Sequence, residues 1–404
     1  MTPILGFLLV IIIALISKLV ILPRMNQASP FVTGLAISGL PYIVLGMVLG
    51  PRAFDLLDSD ILTRLEPLIS LALGWVGILF GIQLRWNNVR RFPANYLLFA
   101  TVQSLLAFGV IALIGISGIY LLAPPEVESP LQVALILAAI GSISAPITIG
   151  RAMVSYRARG RLTHLLQFVS SLDGFWGILF SGLLFVFFRS TSSLDPSLAR
   201  GVFWLGINLG AGIVIGMAFL YLLRIGFDGE ELLLLVLGLV IFVSGVGFYL
   251  GLSPIFLNMI VGIVLAQSRM HASRVMRVLA YAEKPIYLIL LVFAGAVWNF
   301  HVVTEVLIIA LFLLARFAGK MIGGWIASRK INCAFPVPPD VGKILLSFGG
   351  ISLAIAFNFQ LFYGGMMGDL VISATIIAIL VFDEWAAFST VRILRDQGEI
   401  PLNG

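Results

Sequence analysis

The sequence predicts an all-α polytopic membrane protein with about 13 transmembrane helices. Composition is the first reason: of 404 residues, 60% are hydrophobic and only 11% are Asp, Glu, Lys or Arg, with a mean hydropathy of +1.10. A soluble domain carries about 25% charged residues, so a soluble enzyme, a disordered chain and a coiled coil are all excluded. The spacing of the apolar runs and the placement of the basic residues are the second and third reasons. A formal charge of +6 would also suit a nucleic-acid binder, but the 25 basic residues lie between apolar runs and form no patch. Membrane lipid is therefore the expected partner, and nucleic acid is not. Cys333 is the single cysteine, which excludes a disulfide framework and a cysteine metal site. His164, His271 and His301 show no ligand spacing, so no transition metal and no cofactor is expected.

A helix that crosses the bilayer needs about 20 mostly apolar residues. The first run, at roughly 4–23, has no basic leading region and suits a first span better than a cleaved signal peptide. Spans follow at roughly 32–50, 66–84, 94–122, 131–153, 162–188 and 200–223. The remaining six are expected at 231–250, 253–268, 283–299, 303–327, 340–362 and 368–391. Gly251 and Ser253-Pro254 separate the close pair 231–250 and 253–268.

Lys and Arg in short loops stay on the cytoplasmic side. Alternate loops carry Arg24, then Arg85, Arg90 and Arg91, then Arg151, Arg157, Arg159 and Arg161. On the same side follow Arg224; Arg269, Arg274, Arg277 and Lys284; Arg329, Lys330 and Lys343; and Arg392 and Arg395. The opposite side has only Arg52, Arg64, Arg189 and Arg200. The expected N-terminus is therefore outside and the C-terminus cytoplasmic. Short loops and a tail of about a dozen residues after Arg392 leave no soluble regulatory domain. The chain, 1–404, reads as a single membrane transport domain, and its short loops lean toward a prokaryotic inner membrane.

Inside the spans, Asp173 stands out. It lies about eleven residues into its span, roughly 16 Å from one end. A carboxylate there costs at least ~2.5–3.5 kcal/mol and usually marks an ion or proton pathway; the alternative is a structural Asp paired with a buried Arg or capping a neighbouring helix. The preceding span contains Gly141-Ser142-Ile143-Ser144-Ala145-Pro146-Ile147-Thr148-Ile149-Gly150. Pro146 deprives the Ser142 carbonyl of its helical partner, which breaks or kinks the helix, while Ser144 and Thr148 offer hydroxyls. Span 340–362 has a second interruption at Gly349-Gly350. Paired broken helices point to a transporter with inverted repeats, here approximately 1–190 and 230–392 with the helix at 200–223 as linker. That linker carries Gly206-x-x-x-Gly210 and Gly212-x-x-x-Gly216, for internal packing or for a dimer contact. Asp383 and Glu384 are secondary candidates in the span that corresponds to that of Asp173. Arg316 and Lys320 share a helical face, and either is a candidate counter-charge for Asp173 or Glu66; for Arg316 a structural ion pair is the favoured reading. Lys18 is near enough to a helix end to snorkel.

Several motifs resemble those of the monovalent cation:proton antiporters (sodium/hydrogen exchanger-like, nearest the second family of that superfamily). Gly39–Pro51 resembles their second-helix signature and Gly77–Leu84 the third. Ser144-Ala145-Pro146 resembles the unwound crossing helix and Leu172-Asp173 the ion-binding helix, while Arg316–Lys320 and Phe348–Ala354 resemble late helices. The motifs span nearly the whole chain in family order. The resemblance implies a dimerisation domain, a core of six helices with two broken helices crossing near an aspartate, a homodimer, and exchange of Na⁺, K⁺ or Li⁺ for H⁺. Leu172 departs from the Asp, Asn or Gln that usually precedes the ion-binding aspartate, and residues 285–300 hold no basic residue.

The expected chemistry is occupation of Asp173 by either a proton or a cation, with Ser170, Ser171, Ser144, Thr148 and the carbonyls around Ala145 as oxygen ligands. With no second carboxylate beside Asp173, one proton per cation and electroneutral exchange are expected. A sodium-coupled organic-anion symporter of similar fold and a non-transporting sensor or scaffold are the alternatives. An intramembrane enzyme is not expected, since no nucleophile–base pair appears in the spans.

Overall fold

The computed structural model describes residues 39–84, 92–122, 127–188, 198–227, 229–268, 271–299 and 302–401. The expected span at 4–23 lies outside the described residues, as do the start of the second span, Lys18, Arg24, Arg85, Arg90, Arg91, Arg189, Arg269 and His301.

Every regular element among the described residues is helical. In chain order these are α1 (Leu40–Leu49), α2 (Ser59–Arg64), α3 (Glu66–Gln83), α4 (Ala94–Leu122), α5 (Pro130–Ser142), α6 (Pro146–Ser155) and α7 (Arg161–Phe188). Then come α8 (Leu198–Leu223), α9 (Gly229–Tyr249), α10 (Pro254–Ala266), α11 (His271–Val297) and α12 (Val302–Lys330). A 3₁₀ turn (Val341–Leu346), α13 (Gly350–Tyr363) and α14 (Gly365–Asp396) complete the order.

Seven of these helices are long and apolar enough to cross a bilayer, and α11 adds an eighth if its halves, bent by 41° at Pro285, count as one span. The chain is thus an integral multi-pass membrane protein, and large apolar side chains such as Leu113, Phe203, Val214, Leu234 and Leu314 lie exposed, as lipid contact allows. Two of the expected spans are interrupted at Pro146 and at Gly349-Gly350: α5 and α13, with 13 and 14 residues, are segments of these broken spans. The expected span at 253–268 is short: α10 has 13 residues, which at 1.5 Å per residue falls below the ~30 Å of a hydrocarbon core. For α10 the reason is visible in its sequence: Pro254 through Gly262 are all buried, so the segment is apolar all round because protein surrounds it. Its start follows the expected signals, with Gly251 at φ +61 and the Ser253 hydroxyl accepting from Phe256 N–H at 3.3 Å.

The described helices fall into two units, each drawing on both halves of the sequence: Met1–Trp86 with Phe185–Asn299, and Asn87–Leu184 with Phe300–Gly404. In the first unit, α3 and α10 press backbone against backbone. A Cβ on Gly77 would lie 2.2 Å from the Ile255 carbonyl, and one on Gly262 would lie 2.5 Å from that of Ile78. Around this crossing Trp75, Ile78, Leu79, Val236, Val240, Leu257 and Val261 form an apolar core. Gly212 and Gly216 of α8 abut Ile260 and Val264 of α10, so this pair serves internal packing, whereas Gly206 and Gly210 have no described atom within 4 Å.

In the second unit, α12 lies along α4. Cβ atoms on Gly319 and Gly323 would come within 3.0 Å of the Ala107 carbonyl and 2.8 Å of the Gln103 carbonyl. The broken segments α5–α6 and 3₁₀–α13 belong to this unit, together with α7 and α14.

Candidate functional site

Pro146 occupies the first turn of α6, where its missing N–H costs nothing, so the chain must leave helical geometry just before it. It does so over Ile143 to Ala145, with ψ of 144° at Ile143 and 126° at Ala145. The second break covers Ser347 to Gly349, with ψ 140° at Ser347 and φ −148°, ψ 178° at Gly349; Gly350 is the first residue of α13. The two breaks touch. Ala145 N–H donates to the Ser347 carbonyl at 3.1 Å, the Ser347 hydroxyl donates to the Ala145 carbonyl at 3.2 Å, and a Cβ on Gly349 would sit 3.0 Å from that of Ala145.

Two helices ending at one point leave several carbonyls without helical partners. The two buried cations of α12 take them up. Arg316 donates to Gly141 and Ile143 of the first break, the latter at 3.0 Å, and to Leu346 and Ser347 of the second at 2.8 and 3.2 Å. Its guanidinium lies 3.6 Å from the Phe348 ring centroid, a cation–π geometry. A positive charge also suits the negative, carbonyl ends of both segments. Arg316 therefore binds backbone through four carbonyl contacts, with Asp383 and Asp173 as the acids whose charge acts on it.

Lys320 takes the carbonyl that Pro146 orphaned, that of Ser142, and donates to Ser144 Oγ at 2.8 Å and Asp173 Oδ2 at 2.9 Å. Its three ammonium protons thus meet three oxygens. Asp173 and Lys320 are both 0% exposed, and burying two charges is tolerated only when such geometry repays the lost hydration. Among the described residues, Asp173 Oδ1 has no hydrogen-bond partner.

Ser144 has one hydroxyl proton and two acceptors in reach: Asp173 Oδ2 at 2.6 Å and the Leu345 carbonyl at 2.8 Å. With Asp173 ionised, the hydroxyl donates to the carboxylate. With a proton on Asp173 Oδ2, the carboxyl donates to Ser144, which turns to Leu345. The hydrogen bonding accommodates either state of the acid without moving a heavy atom.

The other residues singled out by sequence are distributed differently. Thr148 is buried in the first turn of α6 and makes no hydrogen bond to Asp173. The hydroxyls of Ser170 and Ser171 donate to the carbonyls of Leu166 and Gln167, one turn back in α7, and not into the site. A helical serine finds an acceptor in its own preceding turn, whereas Ser144 lies in extended backbone and reaches outward. Asp383 Oδ1 accepts from Phe348 N–H at 2.6 Å, so this secondary candidate pins the second break. Glu384 is half-buried on the same helix. Glu66 belongs to the first unit, in the first turn of α3, where a carboxylate complements the helix dipole; as a partner for Arg316 or Lys320 it is replaced by the contacts just described. The Ser142 carbonyl, the one that Pro146 was expected to orphan, is in the site, whereas Ser347 and the Leu345 carbonyl complete it without having been singled out. A flanking position beside Gly349 was their only signal.

A scan of protein-family models and a search of curated protein sequences both return no match. Solved structures do match. The structure of the sodium proton antiporter MjNhaP1 from Methanocaldococcus jannaschii at pH 8 superposes with a TM-score of 0.67 at 17% identity, covering 97% of each chain. An electron-microscopy structure of the same antiporter gives 0.61 at 16% identity, covering 98% of this chain and 97% of that one. The chain thus shares the fold of the sodium proton antiporter MjNhaP1.

Proposed function

We propose that this chain is a secondary transporter exchanging a monovalent cation for H⁺ across the membrane at Asp173, with Na⁺ as the first candidate cation and K⁺ and Li⁺ as the others. One observation carries the reading: the Lys320 ammonium sits among three oxygens, Asp173 Oδ2, Ser144 Oγ and the Ser142 carbonyl. Such an oxygen set also suits a hard metal cation, so the protein's own ammonium holds the seat that a transported ion would take. The name of the structurally similar antiporter supports the same class of substrate.

Charge counting gives the stoichiometry. The pair of Asp173 carboxylate and Lys320 ammonium is neutral. A cation on the carboxylate with Lys320 as free amine is neutral too. One cation thus replaces one proton, and exchange is electroneutral. The alternating exposure that transport requires would then move a site of constant charge. The same reading takes the protein as a homodimer in a prokaryotic inner membrane, N-terminus outside and C-terminus cytoplasmic, and as a transporter with no enzymatic activity.

A second reading rests on the complete burial of the ion pair: a closed pair that never opens would make the protein a scaffold. The symporter alternative has less support, since the Asn208 amide donates to the Trp204 carbonyl of its own helix and that of Asn258 to the Pro254 carbonyl and the Ser244 hydroxyl, all in the first unit. Reconstituted vesicles given a pH jump in Na⁺, K⁺ and Li⁺ in turn decide. Cation-dependent proton flux is expected from the native chain, and a loss of at least about a hundredfold from Asp173→Asn, the scale of removing a participating acid–base group. Flux that survives Asp173→Asn removes Asp173 from the mechanism, no flux from the native chain favours the scaffold, and a rate that follows an imposed voltage rules out one-for-one exchange.

A further inference from the structure

Helix α7, which carries Asp173, starts without a cap of its own. Gly160 precedes it and Arg161 is its first residue; the local sequence thus offers neither Ser, Thr, Asp nor Asn at the cap, and it places a positive charge at the positive end of the dipole. Its first amides are nonetheless satisfied. Glu399 Oε1 accepts from Leu162 N–H at 2.8 Å, and Oε2 accepts from Thr163 N–H at 2.8 Å and from the Thr163 hydroxyl at 2.7 Å. The Glu399 carbonyl accepts from Arg159 N–H at 2.9 Å. These four bonds join segments more than 230 residues apart in the chain and lie within the second unit.

The tail is shaped for this contact. After α14 ends at Asp396, Gly398 takes φ +71, a left-handed conformation open to glycine, and turns the chain back. Glu399 N–H bonds the Leu394 carbonyl at 2.9 Å, and Ile400 is buried at 3% exposure. Gly160 is the matching surface: a Cβ there would lie 2.0 Å from Glu399 Cδ. The turn being held, Tyr156 to Gly160, joins α6 to α7, that is, the second half of the broken helix to the helix of the acid.

We infer that the segment after α14 is a clasp, in which Glu399 caps α7 from a distant part of the chain and thereby fixes the axial setting of Asp173 against the break at Ser144. Asp173 lies ten residues beyond Thr163, about 15 Å along a rigid helix, so a shift at the head reaches the acid undiminished. The same element, α14 with its tail, holds the second break through Asp383 and the acid's helix through Glu399. Glu399 touches neither Asp173 nor Lys320 and is a positioning residue. Its role in exchange rests on the function proposed above; the clasp itself does not.

Deuterium exchange on the full-length chain in lipid nanodiscs tests it. Glu399→Ala should speed exchange at Leu162 and Thr163 by about ten- to a hundredfold, the scale of a lost charged hydrogen bond, and should extend the gain toward Val169–Gly174. Glu399→Asp should recover part of the protection. Gly160→Leu, which displaces the tail without altering the Glu399 side chain itself, should reproduce the effect. In vesicles the same variants should slow exchange about tenfold through misplacement of the acid at equal inserted protein. Unchanged protection at Leu162 and Thr163 overturns the clasp. Faster exchange confined to the head, with Val169–Gly174 and flux both unaltered, overturns the positioning role. Absence of flux in the native chain defeats the transport reading alone, since the deuterium measurements still decide the clasp.

Discussion

The two units are held together by different physics. In the first, α3 and α10 meet at glycines so close that a single methyl group would strike a carbonyl, and apolar side chains fill the surroundings. In the second, the centre is two stretches of extended backbone held by cations. All the buried Asp, Glu, Lys and Arg side chains among the described residues (Asp173, Glu305, Arg316, Lys320 and Asp369) belong to it. Close packing is insensitive to protonation and to ions. A centre of orphaned carbonyls, one acid and two cations depends on both, and that dependence is what a transport site requires of its scaffold.

The largest expected effect is that of Arg316→Ala. It would strip the carbonyls of Gly141, Ile143 and Leu346 of their guanidinium donor in a dry interior and leave that of Ser347 with Ala145 N–H alone, and removing one partner of a buried charged network costs about 3–5 kcal/mol. Thermal unfolding of the detergent-solubilised protein should show a large drop, with Arg316→Lys recovering little, because a single ammonium cannot span two backbone segments as a planar guanidinium does. An unchanged melting temperature would mean that the breaks support themselves. Gly77→Leu comes next. Its side chain must displace α10, with an overpacking cost of about 1–3 kcal/mol, yet proton flux per folded molecule should stay near the native value; a changed cation preference would show that the first unit also tunes the ion seat. The smallest effect on stability belongs to Ser144→Ala, about 1 kcal/mol, but it removes one of the three oxygens around the Lys320 ammonium. Flux in vesicles should fall about tenfold, and flux equal to the native rate would exclude the hydroxyl from the ion seat.

Much of this centre is legible in the sequence, because each of its parts breaks a rule of membrane helices. Asp173 is an acid where acids are expensive, Pro146 lacks a needed donor, and Gly349-Gly350 weakens a span. Which groups repair the damage is not legible. Arg316 and Lys320 announce a shared face by their spacing, but spacing along one helix does not reveal which helix lies opposite, so Glu66 and Asp173 stood as equal partners. Asp383 read as a second ion site because a carboxylate's role depends on whether a backbone N–H or an ion reaches it, and Phe348 is 35 residues away. The hydroxyls at Ser170 and Ser171 look as available as that of Ser144 until the local backbone is known. Burial in protein, as in α10, gives a short segment the same apolar character as a full span.

Lys320 sits between Gly319 and Gly323, the two positions where α12 is pressed against the backbone of α4. Rolling that helix would drive main chain into main chain. For the ammonium to give up its place, then, only the four-carbon arm needs to swing, through torsions far quicker than the microsecond-to-millisecond drift of whole helices. Under the proposed function, such a local swap of occupants would be uncoupled in time from any larger excursion, and the slower event would set the pace of turnover.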